Sequence, residues 1–220
     1  MTKPDKRART RDQLLAAAQQ LLQDQTAGTL GIRQVTDRAG VVHATFYNYY
    51  PSIEALVEDL ADLIFAAHVA LVAPIRAVTS DPAELFSLIT RQSLRCTPLY
   101  GRLLFDAGLP IDRFLTRLRQ AMRQDLVQGV ETGRFERQDV DLALGMTNGA
   151  ILGVALDIHR GHLTGAAIEP AVERLLRQLG VAAREARDLA TAEAAFLQPQ
   201  PLPLGWITLQ ARMEEIARAA

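Results

Sequence analysis

Apolar residues recur at intervals of three and four positions along most of the chain, which is the spacing of one face of an α-helix. The first such stripe comprises Leu14, Leu15, Ala18, Leu21 and Leu22. The helix that carries it is predicted to begin near Arg11, with Thr10 as its N-cap. Because runs of β-branched residues between turn residues are scarce, the pattern predicts an all-α fold.

The stretch of about residues 31–50 has the pattern of two short helices joined by a turn. The first, with Thr29 as its predicted cap, ends at Gly40, because glycine adopts a left-handed conformation at low cost. The second is predicted over about residues 42–49, and its polar and aromatic side chains are poorly suited to burial on all sides. Such side chains suit contacts to DNA phosphates and base edges, so we interpret the stretch as a DNA-binding helix-turn-helix.

The rest of the chain is predicted to be helical as well. A long helix begins after Ser52, its cap, and is expected to run to about Val72, shortly before Pro74. Further helices are predicted at about residues 83–96, 99–107, 111–130, 139–160, 167–179 and 207–219. The prolines within residues 197–205 predict an extended linker before the last helix.

Composition narrows the class of protein. Hydrophobic residues make up 49% of the 220-residue chain, which supports a packed core and argues against disorder. The single cysteine, Cys96, excludes a disulfide within the chain, and the N-terminus lacks the apolar segment of a signal peptide, so a cytoplasmic location is expected. The apolar stretches are shorter than the ~20 residues that a membrane span needs, so no membrane partner is expected.

Charge is unevenly distributed. The whole chain has a net charge of −1, but seven basic residues outnumber four acidic ones within residues 1–50. Residues 1–9 are predicted to form a flexible basic arm. This arm is interpreted either as a DNA-binding extension, which would reach the adjacent minor groove, or as a solvated disordered leader.

The segment from Thr45 to Leu56 (TFYNYYPSIEAL) resembles the signature of TetR/AcrR-type transcriptional repressors. The resemblance covers about residues 8–68, including the first helix and the turn at Ala39-Gly40-Val41. It implies a three-helix helix-turn-helix DNA-binding domain at 8–68, with its recognition motif at 31–50. A long helix is expected to join this domain to a helical effector-binding and dimerisation domain at 69–220. The implied function is repression of transcription at double-stranded operator DNA, relieved by an unknown small apolar effector.

The resemblance also implies roles for individual residues. One set is expected to contact phosphates or the groove edge, and a second set is expected to face the bases. The first set comprises Thr29, Arg33, Thr45, Tyr47 and Tyr49, and the second comprises Val42, His43, Ala44 and Asn48. Phe46 is expected to pack inward, against Leu21, Val35 and Leu60.

Three positions depart from the family pattern. Val42 replaces a common Ser or Thr, which weakens the cap of the recognition helix. His43 and Ile53 replace basic residues, which is expected to lower both the DNA affinity and its salt dependence. The basic arm is expected to offset this loss.

The C-terminal half is expected to bind the effector and a second subunit. The predicted effector contacts are His68, Arg95, Tyr100 and Phe105, from a wider set of candidates that also includes Arg91, Cys96, Arg102 and Asp106. Gly145, Gly149 and Gly153 lie along one face of the helix at 139–160. They are interpreted as a homodimer contact made by helices 139–160 and 167–180, or alternatively as close packing within one chain.

Other functions are less well supported by the residues. The chain has no glycine-rich phosphate loop, nucleophile elbow or run of metal ligands, so neither an enzyme nor a cofactor or metal is expected. His159 and His162 near Asp157 are interpreted as a polar cluster at a helix end. The alternative function is a helical ligand-binding or interaction protein with weakened DNA binding. The helix at 206–219 is expected either to cap the effector pocket or to lengthen the dimer contact.

Overall fold

The computed structural model describes residues 5–110 and 112–219, and within them the regular structure is helical, as the periodicity predicts. The α-helices are α1 Lys6–Leu21, α2 Ile32–Ala39, α3 His43–Phe46, α4 Ile53–Val78, α5 Pro82–Arg95, α6 Thr97–Gly101, α7 Asp112–Glu131, α8 Val140–His159, α9 Ile168–Gln178, α10 Ala183–Thr191 and α11 Trp206–Ala219. Short 3-10 turns precede α2 and α9, and a π-helical turn at Arg102–Asp106 follows α6.

The chain divides into two compact units. The first contains the residues up to Ala70, Arg102–Phe114 and the residues from Pro199 onward. The second contains Leu71–Gly101 and Leu115–Gln198. The sequence predicts a single boundary between residues 68 and 69. In the structure, the segments Arg102–Phe114 and from Pro199 onward also belong to the helix-turn-helix unit.

The N-terminal helix begins earlier than the apolar stripe predicts. Helix α1 starts at Lys6, and Thr10 lies inside it, where its hydroxyl donates to the carbonyl of Lys6 at 3.2 Å instead of capping the helix. Residues 6–9 are therefore helical and not a flexible arm, since lysine, arginine and alanine are good helix formers. Residues 1–4 of the predicted arm lie outside the described residues.

The core of the first unit is made by leucine and aromatic side chains from its helices. Its fully buried side chains include Leu14, Leu15, Leu22, Val35, Phe46, Leu56 and Leu60. This is the apolar face that the periodicity of α1, α2 and α4 predicts, and its burial is the main favourable contribution to the folding of the unit.

The segment 102–110 is attached to the C-terminal end of α1. The guanidinium of Arg102 donates to the carbonyls of Leu22, Gln23 and Gln25 at 3.2–3.3 Å. These carbonyls lie where a helix end leaves acceptors without partners, so Arg102 satisfies them. The amide of Ala27 donates to the carbonyl of Ala107 at 2.7 Å, which adds a backbone contact.

The C-terminal segment packs on the same helix. Gln19 is buried, and its amide pairs with the backbone of Leu204, accepting from the nitrogen at 2.7 Å and donating to the carbonyl at 2.8 Å. Asp12 accepts from the amides of Trp206 and Ile207 at 3.0 and 2.9 Å and so caps α11. The proline-rich stretch is therefore held in place, and α11 contacts α1 of the helix-turn-helix unit.

A single carboxylate connects four parts of the first unit. Asp59 of α4 accepts two hydrogen bonds from the guanidinium of Arg11, at 2.8 and 2.6 Å. It also accepts from the Tyr50 hydroxyl at 2.5 Å and from the Trp206 indole nitrogen at 3.0 Å. The Arg11 guanidinium in turn lies over the Trp206 ring at 5.3 Å. The Asp59 side chain is only 11% exposed, so these donors replace the water that it loses.

The long helix after Ser52 extends beyond its predicted end. The Ser52 hydroxyl accepts from the amide of Ala55 at 3.4 Å, as expected of a cap, but α4 continues through Pro74 to Val78. Beyond the proline, Arg76 makes a bidentate pair with Asp125 of α7, at 2.8 and 2.7 Å. This pair stabilises a last turn that local sequence preferences disfavour.

The core of the second unit is formed by α5 and α7–α10. It contains Ala83, Phe86, Leu126, Phe135, Ala143, Leu144, Val172, Leu175, Leu176, Leu179, Val181, Ala186 and Ala190. Helix α10 was not predicted, because the residues it buries, Ala186 and Ala190, are too small to produce a strong apolar stripe.

Helix α8, which is capped by Asp139, is long and apolar enough to cross a membrane by length and composition alone. Little of this helix is buried inside the structure.

Replacing Asp59 with alanine is expected to lower the free energy of unfolding by about 3 kcal/mol, because Arg11, Tyr50 and Trp206 would no longer have their shared acceptor. Urea denaturation followed by circular dichroism measures the change. Asp24→Asn, at an exposed position of the same unit, is the matched control and is expected to change stability little. Equal stability of the Asp59→Ala protein and the control would contradict this role for Asp59.

Candidate nucleic-acid interface

The turn between α2 and α3 has the geometry that Gly40 predicts. Gly40 has φ = 68° and ends α2 in the left-handed region, with the amide of Val41 donating to the carbonyl of Thr36 at 3.0 Å.

The start of α2 differs from the prediction. Gly31, not Thr29, occupies the N-cap position, and the side chain of Gln34 accepts from its amide at 2.9 Å. The Thr29 hydroxyl bonds to the carbonyl of Thr26 at 2.9 Å.

The recognition helix is shorter than predicted. Helix α3 spans His43–Phe46, and Tyr47 to Tyr49 continue it as a hydrogen-bonded turn. Val42 stands at the N-cap, and no side chain caps the helix, as its departure from the family pattern predicts. The helix therefore depends on packing rather than on a capping side chain.

Aromatic side chains fix the inner face of this segment. Phe46 is fully buried, as predicted, and its ring lies 5.7 Å from those of both Tyr47 and Tyr50. Tyr50 is also buried. Burial raises the pKa of its phenol well above the usual value, and the hydrogen bond to Asp59 adds to the shift. The Tyr50 hydroxyl thus donates a hydrogen bond that stabilises the fold. The clustering of tyrosines in the sequence did not reveal this role.

The opposite face of the segment is open to solvent. Val42 is 73% exposed and Tyr47 is 54% exposed, which is unusual for large apolar or aromatic side chains. The predicted DNA contacts in the segment fall into two classes. Val42, His43, Ala44, Tyr47 and Asn48 are exposed, and Thr45 and Tyr49 are half-buried. The residues of this segment that are predicted to contact DNA are thus all at least partly exposed, and none is buried in the core.

Cationic side chains lie next to this face. A shallow groove is lined by Asp5, Lys6, Arg7, Asn48 and Tyr49. The first turn of α1 therefore lies beside the end of residues 42–50, which we call the recognition segment. The charges of Lys6 and Arg7 thus lie beside two of the predicted recognition residues, Asn48 and Tyr49. This position fits the expectation that N-terminal cations compensate for His43 and Ile53.

Arg33 is the predicted phosphate contact on α2. Its side chain is 88% exposed and lies 3.8 Å from Asp37, one helical turn away. An exposed pair at this distance is weak and screened by salt, so the guanidinium is accessible to a stronger anion. Thr29 is exposed at the end of the turn that precedes α2.

The four predicted effector contacts do not fall in one unit. His68 and Phe105 are half-buried residues of the first unit, whereas Arg95 and Tyr100 belong to the second. Tyr100 is buried, and Arg95 forms an ion pair with Glu169 at 2.8 Å. Their role as effector contacts stays a prediction.

The helix-end cluster interpreted from the sequence is present in part, because His159 lies against Gly101 of α6. His162 lies 3.3 Å from Asp157, just beyond the last turn of the helix. In the part of the chain that the structure describes, no group of three or more histidine, cysteine or acidic side chains is arranged to hold a metal ion.

Two family models match the chain. Residues 14–60 match the family described as "Bacterial regulatory proteins, tetR family", and residues 81–192 match "Tetracyclin repressor-like, C-terminal domain". The first match contains the whole helix-turn-helix, and the second contains most of the second unit. A search of curated protein sequences finds no match.

Solved structures of regulators share the fold. RolR in complex with the ligand resorcinol is 29% identical, with 89% of this chain and 98% of that chain covered and a TM-score of 0.64. The fatty acid degradation regulator FadR from Bacillus halodurans is 19% identical, with 82% and 100% covered and a TM-score of 0.69. A γ-butyrolactone receptor (ArpA-like protein) is 16% identical, with 96% and 99% covered and a TM-score of 0.62.

The Lys6→Gln/Arg7→Gln double variant is expected to bind a duplex of arbitrary sequence with a shallower salt dependence. The slope of log affinity against log salt concentration should fall in magnitude by about 0.9 for each phosphate that the variant no longer neutralises. Fluorescence anisotropy over a salt series measures it.

The matched control removes two exposed cations of the second unit, in the variant Arg177→Gln/Arg184→Gln, and its slope is expected to stay close to that of the parent protein. An unchanged slope for the Lys6/Arg7 variant would show that the groove does not contact DNA.

Proposed function

This chain belongs to the TetR family of bacterial regulatory proteins, and from that premise we propose that it is a transcriptional repressor that leaves its operator when a small effector binds. Membership confirms the resemblance inferred from residues 8–68. The protein is a DNA-binding transcriptional regulator. The repressing action, the apolar character of the effector and the cytoplasmic location are parts of the proposal.

The observation that carries the proposal is the outward face of the recognition segment beside the cations of α1. Val42, His43, Ala44 and Asn48 would meet base edges in the major groove, which is wide enough to accept a helix. Asn48 is suited to an adenine, since its amide both donates and accepts, and Val42 is suited to a thymine methyl group.

Hydroxyl groups and cations would position the protein on the DNA backbone. Thr45, Tyr47 and Tyr49 flank the base-facing residues, and Arg33 and Thr29 lie near the start of α2. Contacts of this kind set orientation and carry no sequence information. Because His43 and Ile53 supply no permanent charge, Lys6, Arg7 and Arg33 would supply most of the electrostatic attraction.

The protein is proposed to act as a homodimer through α8 and α9. Apart from the backbone of α8 itself, a Cβ atom added at Gly145, Gly149 or Gly153 would meet no atom of the described residues within 4 Å. These glycines therefore do not serve close packing against the described part of the chain. Leu142 and Met146 are 63% and 54% exposed on the same face of α8. An apolar stripe of small and large residues that faces solvent fits a contact with a second copy.

Release from DNA is proposed to follow a shift between two conformers. In a dimer, the two recognition helices must meet successive major grooves, about 34 Å apart. An effector that binds one conformer better than the other shifts the population by its difference in affinity. The structure of RolR, which is 29% identical to this chain, contains the small ligand resorcinol.

Sequence-specific DNA binding is tested with the duplex that flanks the protein's own gene. The protein is expected to shift this duplex in the presence of excess competitor, and Asn48→Ala should weaken binding by about 1–3 kcal/mol, because alanine cannot hydrogen-bond to a base edge. Gln128→Ala, at an exposed position of α7, is the matched control and should bind as the parent does. If no specific shift occurs under any ligand condition, the interaction-protein alternative is favoured.

Dimer formation is tested with Gly149→Arg. A long charged side chain at the centre of the α8 stripe is expected to convert the dimer to a monomer at micromolar concentration, as measured by analytical ultracentrifugation. Gln124→Arg introduces the same charge at an exposed position of α7 and should leave the dimer intact. A dimer that survives Gly149→Arg, or a parent protein that sediments as a monomer, would rule out this interface.

A further inference from the structure

The second unit contains a buried arginine, two of whose donor atoms lack acceptors. Arg91 of α5 is only 4% exposed, and its Nε and Nη1 atoms have no hydrogen-bond partner among the described residues. An arginine side chain keeps its charge inside proteins, so it cannot escape burial by losing its proton. Buried charges are ordinarily paired, and Arg91 is an exception. A bound anion would supply the missing acceptors and so remove the cost of the unpaired charge.

The surroundings of Arg91 supply too little negative charge. Arg95 lies one helical turn further along α5, on the same face, and the nearby carboxylate of Glu169 is hydrogen-bonded to it at 2.8 Å. Burial lowers the pKa of Arg91, Glu169 opposes that shift and Arg95 adds to it. One carboxylate thus serves two guanidiniums, which leaves a net positive charge in the cluster.

An aromatic side chain covers both guanidiniums. The ring of Phe196 lies 4.8 Å from the guanidinium carbon of Arg91 and 4.5 Å from that of Arg95. A ring face attracts a cation, but it does not replace the oxygen acceptors that the N–H groups need. Because Arg91 is buried, any charge interaction that it makes is stronger than it would be in water.

The position of Phe196 is set by its neighbour in the chain. The side-chain amide of the buried Gln92 pairs with the backbone of Leu197, accepting from its nitrogen and donating to its carbonyl at 3.0 Å each. The extended segment after α10 is therefore fastened across α5, with Phe196 over the arginines. One aromatic ring is thus held against two cations.

We propose that Arg91, with Arg95 and Phe196, forms the binding site for a small organic anion with an apolar body, such as a monocarboxylate. The carboxylate would accept charge-assisted hydrogen bonds from Arg91, and the apolar body would lie against Phe196. The identification of this anion with the effector rests on the proposed function, whereas the binding of the anion does not. It refines the expected small apolar effector by assigning it one negative charge.

The binding test uses the full chain without DNA and a defined series of probes: acetate, octanoate and benzoate, each compared with its neutral amide. At least one carboxylate is expected to raise the melting temperature saturably, whereas its amide does not. Arg91→Met should weaken binding of that carboxylate at least tenfold, as measured by calorimetric titration. Arg187→Met is the matched control, because Arg187 is an exposed arginine of the same unit that pairs with Glu173, and it should bind as the parent does.

A stability measurement separates an anion site from a structural arginine. If Arg91 is kept for a ligand, the urea midpoint of ligand-free Arg91→Met should equal or exceed that of the parent, because an unpaired buried charge has been removed. A lower midpoint would overturn the proposal. So would the absence of carboxylate-specific stabilisation in the parent, or equal carboxylate affinity in the parent and Arg91→Met.

The two proposals fail in different ways. Because the titration contains no DNA, failure to bind carboxylates overturns the anion site and leaves the assignment as a repressor standing. If the carboxylate binds through Arg91 but does not release the protein from its operator, the anion site stands and its identification with the effector fails. If carboxylates bind but no operator is recognised at all, the proposed function fails alone.

Discussion

The first unit depends on the requirement that the Asp59 carboxylate be fully hydrogen-bonded. A carboxylate with so little exposure needs donors, and it obtains them from α1, from the end of the recognition segment and from the start of α11. Each donor is thereby fixed in direction. This set of bonds helps to fix the orientation of the recognition segment relative to α1. Together with the contacts of Asp12 and Gln19, it also holds the C-terminal helix against α1.

The same requirement divides the recognition segment into two faces. Phe46 and Tyr50 are committed to the interior, one by its apolar ring and the other by its bond to Asp59. Most of the residues between and before them are exposed, and Thr45 and Tyr49 are half-buried. The end of this segment lies beside Lys6 and Arg7. The packing of the core thus creates a surface that suits a polyanion such as DNA. Its permanent positive charges come from Lys6 and Arg7 of α1, because the recognition helix itself has few basic residues.

The extended segment that precedes α11 shows a related solution to the same physical problem. An extended chain without a neighbouring strand leaves its backbone groups without partners. Two buried glutamine amides satisfy them: Gln92 pairs with Leu197 in the second unit, and Gln19 pairs with Leu204 in the first. A stretch whose prolines suggest a loose linker is consequently held at both ends, and its Phe196 is positioned over Arg91 and Arg95.

The amino-acid sequence by itself determined the helical class, the helix-turn-helix and the identity of its outward residues, because these follow from local periodicity, from Gly40 and from a motif of adjacent residues. It did not reveal the start of α1, helix α10, the partners of Asp59 and Arg102, or the unsatisfied donor atoms of Arg91. The start of α1 and helix α10 were missed because neither has a strong apolar stripe. The polar partners depend instead on contacts between residues far apart in the chain, such as Arg11 with Asp59 at a separation of 48 and Gln19 with Leu204 at 185. Local patterns carry no information about such pairs, since only the folded chain decides which buried polar group meets which partner, and which buried charge is left without one.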